Sequence, residues 1–220
     1  MDVYIEAGAK RTFANAVEWP GWSRTAKDTD GALEALVACG PRYRKAIGAS
    51  AARGLMLPEN IKALKIVERV KGDATTDFGA PSITTKADRR PLDDAELARQ
   101  IALLRASWSA FDKTAERHAR ATLRKGPRGG GRELPAIVAH VLEADKAYLS
   151  GLGRSFRAKG RNEMREMRTA FADMLERRAH GETPEVGPRR KKPLWTPRFA
   201  VRRSAWHALD HVWEIEDRAT

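Results

Sequence analysis

The apolar residues of positions 1–71 follow the short period of β-strands. "VYIEA" and "TFANAVEW" flank the turn-like "GAKR", which predicts two strands joined by a hairpin connection. "ALKIVERVKG" predicts a further strand from about Leu64 to Val70. Between them, "DTDGALEALVACG" has helical spacing, and Gly40-Pro41 is expected to end that helix. A small sheet with a helix on one face is the expected architecture of this part.

From position 93 to position 220, the apolar residues instead recur every three or four positions, as on one face of an α-helix. Four segments show this spacing: "DDAELARQIALLRASWSAFDKTAERHARATL", "ELPAIVAHVLEADKAYLSGLG", "NEMREMRTAFADMLERRAHG" and "TPRFAVRRSAWHALDHVWEIEDR". Helices of comparable length joined by modest loops predict a four-helix bundle. The fold class expected for the whole chain is therefore α+β, with a small N-terminal sheet-and-helix module followed by a C-terminal four-helix bundle.

Residues 72–92, "GDATTDFGAPSITTKADRRPL", separate these two patterns. They are rich in Gly, Pro, Thr and Asp, which favour turns and irregular chain. This composition predicts a linker between one domain at 1–71 and another at 93–220. Phe78 is the only aromatic residue in the linker, and it is expected to anchor the linker to one of the domains.

Composition narrows the classes of function. The formal net charge is +12. A basic chain can bind nucleic acid or acidic metabolites, or its charge can serve only to keep the protein soluble. The basic runs "LRKGPRGGGR" and "GPRRKK" contain Gly and Pro, as solvated loops do, so nucleic acid is not the expected partner. The single cysteine, Cys39, excludes a disulfide framework and fits a reducing cytoplasm. The N-terminus lacks the apolar region of a signal peptide, and no apolar run approaches the roughly 18 residues of a membrane span. A cytoplasmic protein without membrane contact is expected.

The last predicted helix carries most of the candidate chemistry. Successive helical residues rotate by about 100°, so His207 and His211 share one side of this helix with Arg203, Asp210 and Glu214. Apolar residues flank this polar strip on both sides, whereas a strip that faces solvent normally has apolar residues on one side only. We therefore expect these polar groups to face the interior of the bundle or a pocket that opens into it.

A buried polar group is costly unless it is hydrogen-bonded, paired or bound to a metal. Two imidazoles one helical turn apart can bind the same ion. A third ligand must come from another helix, and His140 is the best candidate because small residues surround it on its helix face. His140, His207 and His211 together predict a divalent-metal site with one open position, where zinc can activate water or bind a thiolate. Glu143 lies one turn after His140 and is expected to orient that histidine or a bound water. The candidate catalytic carboxylates are Glu143, Asp210 and Glu214.

Three arginines are candidate substrate-binding residues. Arg128 and Arg132 precede the helix that carries His140, and the positive end of a helix favours anions. Arg203 lies one turn before His207 on the last helix. These side chains are expected to hold a small anionic substrate near the histidines.

The C-terminal motifs resemble a known superfamily. "AIVAHVLEADKAYL", followed later by "RRSAWHALDHVWEIEDR", resembles the DinB-like superfamily, which includes YfiT-type metal-dependent hydrolases and mycothiol-dependent maleylpyruvate isomerase. The resemblance covers residues 93–220 and implies a four-helix bundle. It also implies that His140, His207 and His211 bind a divalent ion, often zinc or nickel. Several members of the superfamily use a low-molecular-weight thiol, so such a thiol is a candidate cosubstrate here.

The N-terminal module carries a second resemblance. "WPGWSRTAKDTDGALEAL" combines a Pro-Gly turn, a strand and an acidic helix start, and it resembles the HicB-like and UPF0150-like antitoxin folds. In that family the module often binds a partner or is a degenerate nuclease-like domain. Residues 1–71 contain no histidine, so a catalytic set is not expected there.

Two classes of function stay open at this point. The first is a metal-dependent enzyme that acts on a small molecule, as a hydrolase or a thiol-dependent transferase. The second is a non-catalytic stress-response or partner-binding protein whose metal site is structural or vestigial. An open coordination position would favour the enzyme, whereas closure by four protein ligands is typical of structural zinc. The candidates for such a fourth ligand are Glu143, Asp210 and Glu214. The sequence also leaves a homodimer open.

Overall fold

The computed structural model describes residues 1–125, 131–157, 160–184 and 193–220. Its strands are β1 (Asp2–Ala7), β2 (Thr12–Ala16), β3 (Ser23–Ala26) and β4 (Lys65–Lys71). Its helices are α1 (Thr29–Ala51), α2 (Ala74–Phe78), α3 (Asp94–Arg117), α4 (Leu134–Leu152), α5 (Glu163–Ala179) and α6 (Pro197–Arg218). Single turns of 3₁₀ helix lie at Ile61–Ala63 and Ala87–Arg89. The predicted α+β class, with a small N-terminal sheet followed by a helical C-terminal region, is confirmed.

The four strands form one sheet in the order β3-β2-β1-β4. β2 pairs antiparallel with both β1 and β3, while β4 returns parallel to β1 after the α1 crossover. α1 packs against β2 and β3. The indole of Trp22 joins these layers, because its Nε1 donates to the Leu36 carbonyl at 2.9 Å and its ring stacks on Tyr43.

The expected end of α1 at Gly40-Pro41 is wrong, because the helix continues to Ala51. Gly40 lies against the ring of Trp22, where an added Cβ would come within 3.0 Å of the Trp22 Cζ2 atom. The glycine therefore allows close packing and does not end the helix. Pro41 stays inside α1, which loses one backbone N–H donor there. The break in helical geometry comes later, at Gly48, whose φ is 78°.

α6 is buried along most of its length. α3 and α4 pack directly against it, and the N-terminal module covers it from another direction. The ring of Phe13 on β2 meets Trp206 edge-on at 6.4 Å, and Gly21 lies against Leu209. These neighbours explain why apolar residues flank the polar strip of α6 on both sides. In the part of the chain that the structure describes, no helix has both the length and the apolar composition needed to cross a membrane.

Residues 72–92 contact both the sheet and α6. The Thr76 hydroxyl, in α2, donates to the buried Glu6 carboxylate on β1 at 2.6 Å. Asp88 forms a buried ion pair with Arg202 of α6 at 2.6 Å. One continuous hydrophobic core runs from the sheet through α1 into the C-terminal helices. The division into domains at 1–71 and 93–220 stays a prediction.

The expected anchor of this segment, Phe78, is 89% exposed, so that expectation is wrong. α2 is only five residues long, and Gly79 at its C-terminus has a φ of 119°, which turns the chain immediately after Phe78. The segment is held instead by hydrogen bonds and by the Asp88 ion pair, since polar groups that are paired can be buried at little cost.

Candidate metal centre

Three imidazoles meet between α4 and α6. His140 lies on α4, and His207 and His211 lie one turn apart on α6. The Nε2 atom of His207 is 3.2 Å from the Nε2 atom of His140 and 3.2 Å from that of His211. The candidate ligand atoms of all three lie within 4.8 Å of one another. The structure therefore brings together the three histidines selected from the sequence, and their role as ligands stays a prediction.

A buried polar contact joins the two helices next to this cluster. Ser204, one turn before His207, donates from its hydroxyl to Asp145 of α4 at 2.6 Å. The Trp108 Nε1 atom of α3 donates to the same hydroxyl at 3.1 Å. Burial raises the pKa of Asp145 to about 7. This contact fixes how α4 faces α6, and it was missed by the sequence analysis because a single Asp in a helix carries no spacing signal.

The spacing of the imidazole nitrogens fits one divalent ion. With zinc–nitrogen bonds of about 2.0–2.1 Å and tetrahedral angles, ligand nitrogens lie about 3.3–3.4 Å apart. The two 3.2 Å separations come close to this value. The third separation, between the candidate ligand atoms of His140 and His211, is at most 4.8 Å.

Glu214 sets the tautomer of His211. The Nδ1 atom of His211 lies 2.7 Å from the Glu214 Oε2 atom, and a carboxylate only accepts, so Nδ1 carries the proton. In the neutral form of His211 with this tautomer, the lone pair is on Nε2, the atom that lies 3.2 Å from the His207 Nε2 atom. Arg218 holds the second oxygen of Glu214 at 2.5 Å. The hydrogen bond from His211 is the main reason that the pKa of Glu214 is lowered, which keeps it ionised.

Two of the three histidines, His140 and His207, have lowered pKa values, which favour the neutral state that binds metals. His207 is 7% exposed, and burial, reinforced by the neighbouring imidazoles, lowers its pKa to about 2. Burial and the positive charge of Arg132 lower the pKa of His140, which is only partly buried. Among the described residues, the buried Nδ1 atom of His207 has no hydrogen-bond partner, so His207 lacks the outer-shell carboxylate that His211 has.

The three candidate carboxylates lie in different surroundings. Glu143 does not join the histidines, because its side chain is 69% exposed and it pairs with Lys146 at 2.7 Å. Asp210 is half-buried on α6, and burial raises its pKa. Glu214 is bound to His211, as described above.

The candidate arginines also differ. Arg132 is exposed, and its charge lowers the pKa values of His140 and His207, so it lies within electrostatic reach of the cluster. Arg203 is partly buried and lies over the ring of Trp206 at 4.7 Å. Arg128 lies outside the described residues.

Aromatic side chains close one flank of the cluster. The ring of Tyr148 lies 5.8 Å from that of His207 and 5.3 Å from that of Trp195. Tyr148 is not among the residues predicted for the site, although its direction follows from helix geometry, since residues eight apart on a helix differ by about 80°. Tyr148 therefore lies on roughly the same side of α4 as His140.

The fold and the site define an α+β protein with a candidate three-histidine metal centre between two of its helices. Comparison with protein-family models, with curated proteins and with solved structures finds no match. The side chains of the site are therefore the evidence for its function.

Proposed function

We propose that this chain is a divalent-metal-dependent enzyme, either a hydrolase or a low-molecular-weight-thiol-dependent transferase, with His140, His207 and His211 as its metal ligands. The observation that supports this is the approach of the His207 Nε2 atom to the Nε2 atoms of His140 and His211 at 3.2 Å each, with the candidate ligand atoms of all three within 4.8 Å of one another. Zinc or nickel is the expected metal. In such a centre the ion lowers the pKa of bound water or thiol and polarises a carbonyl group.

The number of ligands favours an enzyme over a structural site. Within the described residues, the group of possible ligands has three members, whereas structural zinc is usually closed by four. Glu143 is paired with Lys146, and Glu214 is engaged by His211 and Arg218. Because His140 is only partly buried, the centre has a route to solvent on that side. The alternative, a non-catalytic partner-binding or stress-response protein with a structural or vestigial metal, lacks a comparable supporting observation.

Two carboxylates have distinct roles in this proposal. Glu214 is a positioning residue, since it holds the His211 tautomer whose Nε2 lone pair faces the other ligands. Asp210 is the candidate for moving a proton. Its carboxyl is half-buried on the same helix, and its raised pKa brings proton exchange closer to neutral pH.

The first test is metal content. Protein purified without a histidine tag should contain close to one divalent ion per chain by elemental analysis. His140→Ala and His207→Ala should lose most of this metal and keep their far-ultraviolet circular dichroism, because the helices are held by apolar packing. His180→Ala is the matched control, since His180 is an exposed residue paired with Asp94, and it should retain the metal. Full metal content in His207→Ala would refute the ligand assignment.

The second test separates the enzyme from the structural alternative. The metal-loaded protein is assayed for hydrolysis of ester and amide substrates, and for transfer reactions that require an added thiol. Its melting temperature is measured with and without a chelator. Turnover that disappears in His207→Ala supports the enzyme. A large fall in melting temperature on chelation without any turnover would favour a structural metal, because metal-binding free energy would then be folding free energy.

A further inference from the structure

Arg203 of α6 lies between aromatic rings beside the histidine cluster. Its guanidinium carbon is 4.7 Å from the ring centroid of Trp206 and 5.5 Å from that of Tyr148. Both rings also contact His207, at centroid distances of 6.0 and 5.8 Å. Arg203 and the candidate metal centre therefore share two of their walls.

No described carboxylate lies within ion-pair distance of Arg203, although Glu6 and Asp210 interact with its charge from further away. Its Nη1 atom donates to the Pro81 carbonyl at 3.0 Å, but no described residue forms an ion pair with it. The preceding residue, Arg202, is paired with Asp88 at 2.6 Å. Burial lowers the pKa of Arg203, which expresses the free-energy cost of a desolvated charge. Guanidinium groups in such positions normally have an anionic partner.

The free edge of Arg203 has the shape of an anion receptor. The guanidinium carbon lies over two aromatic rings, and the Pro81 carbonyl accepts from Nη1. The Nε and Nη2 atoms form no hydrogen bond within the described chain, and neither is sealed from solvent. These two N–H groups point side by side, which is the fork that binds two oxygens of one carboxylate or phosphate.

We propose that the Nε/Nη2 edge of Arg203 binds the oxyanion of the substrate, a carboxylate or a phosphate, and so directs a small organic anion to the three histidines. This inference rests on the proposed function and adds its substrate class. Arg132 contributes a second positive charge on the His140 side. In this proposal the two groups have different roles. The histidines act on the reacting bond, and Arg203 binds a charged group of the substrate that does not react.

The test is calorimetric titration of the full chain with succinate and with inorganic phosphate, each against metal-loaded and chelated protein. Chelated protein is included because either anion can bind a metal directly. Arg203→Met keeps the apolar length of the side chain and removes the fork. It should lower the affinity for the anion about 10- to 100-fold. Arg203→Lys should also weaken binding, because it keeps the charge but not the two-pronged geometry. Tighter binding of succinate identifies a carboxylate substrate, and tighter binding of phosphate identifies a phosphate ester.

Arg44→Gln is the matched control. Arg44 is an exposed residue of α1, so this variant removes one positive charge without touching the site, and it should bind both anions as the wild type does. Elemental analysis of Arg203→Met should give the wild-type metal content. If the wild-type chain holds no metal, the proposed function fails, while titration of the same protein still decides whether Arg203 binds anions.

Three results would overturn the inference. The first is that neither anion binds the wild-type chain. The second is that Arg203→Lys binds as tightly as the wild type, which also covers the case in which Arg203→Met does not fold. The third is an equal loss of binding in Arg44→Gln, which would show that net charge and not the Arg203 fork attracts the anion.

Discussion

Replacing Asp88 with alanine should destabilise the whole fold, although Asp88 lies in the segment between the two sequence patterns. Its Oδ1 and Oδ2 atoms accept from Arg202 at 3.1 and 2.6 Å, and the Thr85 backbone N–H donates to Oδ2 at 2.7 Å. The side chains of Arg202 and Asp88 are only 8% and 5% exposed. Asp88→Ala therefore leaves a buried guanidinium whose remaining partners, such as the Ile83 carbonyl, carry no net charge.

Breaking a buried pair in this way costs about 3–5 kcal/mol. For a chain of this size, 1 kcal/mol corresponds to about 2–4 °C in melting temperature, so a fall of roughly 8–16 °C is expected for a loss near 4 kcal/mol. The assay is thermal unfolding by circular dichroism, supported by urea titration. The double variant Asp88→Ala/Arg202→Met should lose less than Asp88→Ala alone, because it leaves no unpaired charge in the interior.

Glu182→Ala is the matched control, since it breaks the exposed ion pair of Glu182 with Arg177 and should leave the melting temperature unchanged. The reasoning is refuted if the melting temperature of Asp88→Ala equals that of the control, or if the double variant is less stable than Asp88→Ala. Either result would mean that the segment at 72–92 is not held to α6 by this pair.

Three further predictions follow from the site and the core. Glu214→Gln should weaken metal binding about 10- to 100-fold, because it removes the charged partner of His211; titration against a competing chelator measures this, and an unchanged affinity would exclude the positioning role. Phe171→Ala should lower the free energy of unfolding, measured in urea, by about 3–5 kcal/mol, because Phe171 is 0% exposed. Phe78→Ala, at an 89% exposed position, should leave it unchanged. Similar losses in both variants would contradict the described core. Metal-free protein should lose stability as pH falls below about 6.5, where the unfolded chain protonates His207 and the folded chain, with a pKa of about 2 there, does not. The loss from this group is about 2 kcal/mol at pH 5, and a His207→Gln variant with an equally steep pH dependence would rule out His207 as the cause.

Much of the candidate site was readable from local spacing. The pair at His207 and His211 follows from the helical repeat, and so does the prediction that their strip faces inward, because apolar residues flank it on both sides. His140 could be selected by the small residues around it. Glu143 shows the limit of this reasoning: it lies close to His140 in sequence, yet its carboxylate is drawn to Lys146, and helical spacing alone does not choose between such partners.

The fold shows the same boundary between local and distant information. Strand and helix types were predictable because the apolar period is set within a few residues, and the α+β class follows from it. The end of α1 was not predictable from the sequence. Gly40 packs closely against Trp22, and this contact exists only once the sheet has packed on the helix.

The sequence by itself determined the types and the order of the main strands and helices, since apolar spacing depends on residues a few positions apart, and it offered His140, His207 and His211 as candidate ligands. Only the tertiary structure decided which charges are neutralised. Arg202 and Arg203 are neighbours in the chain with the same side chain, yet Arg202 meets Asp88 and Arg203 meets two aromatic rings. Their partners come from distant segments of the chain, because a buried charge can pair only with groups that the packed fold places within hydrogen-bonding distance.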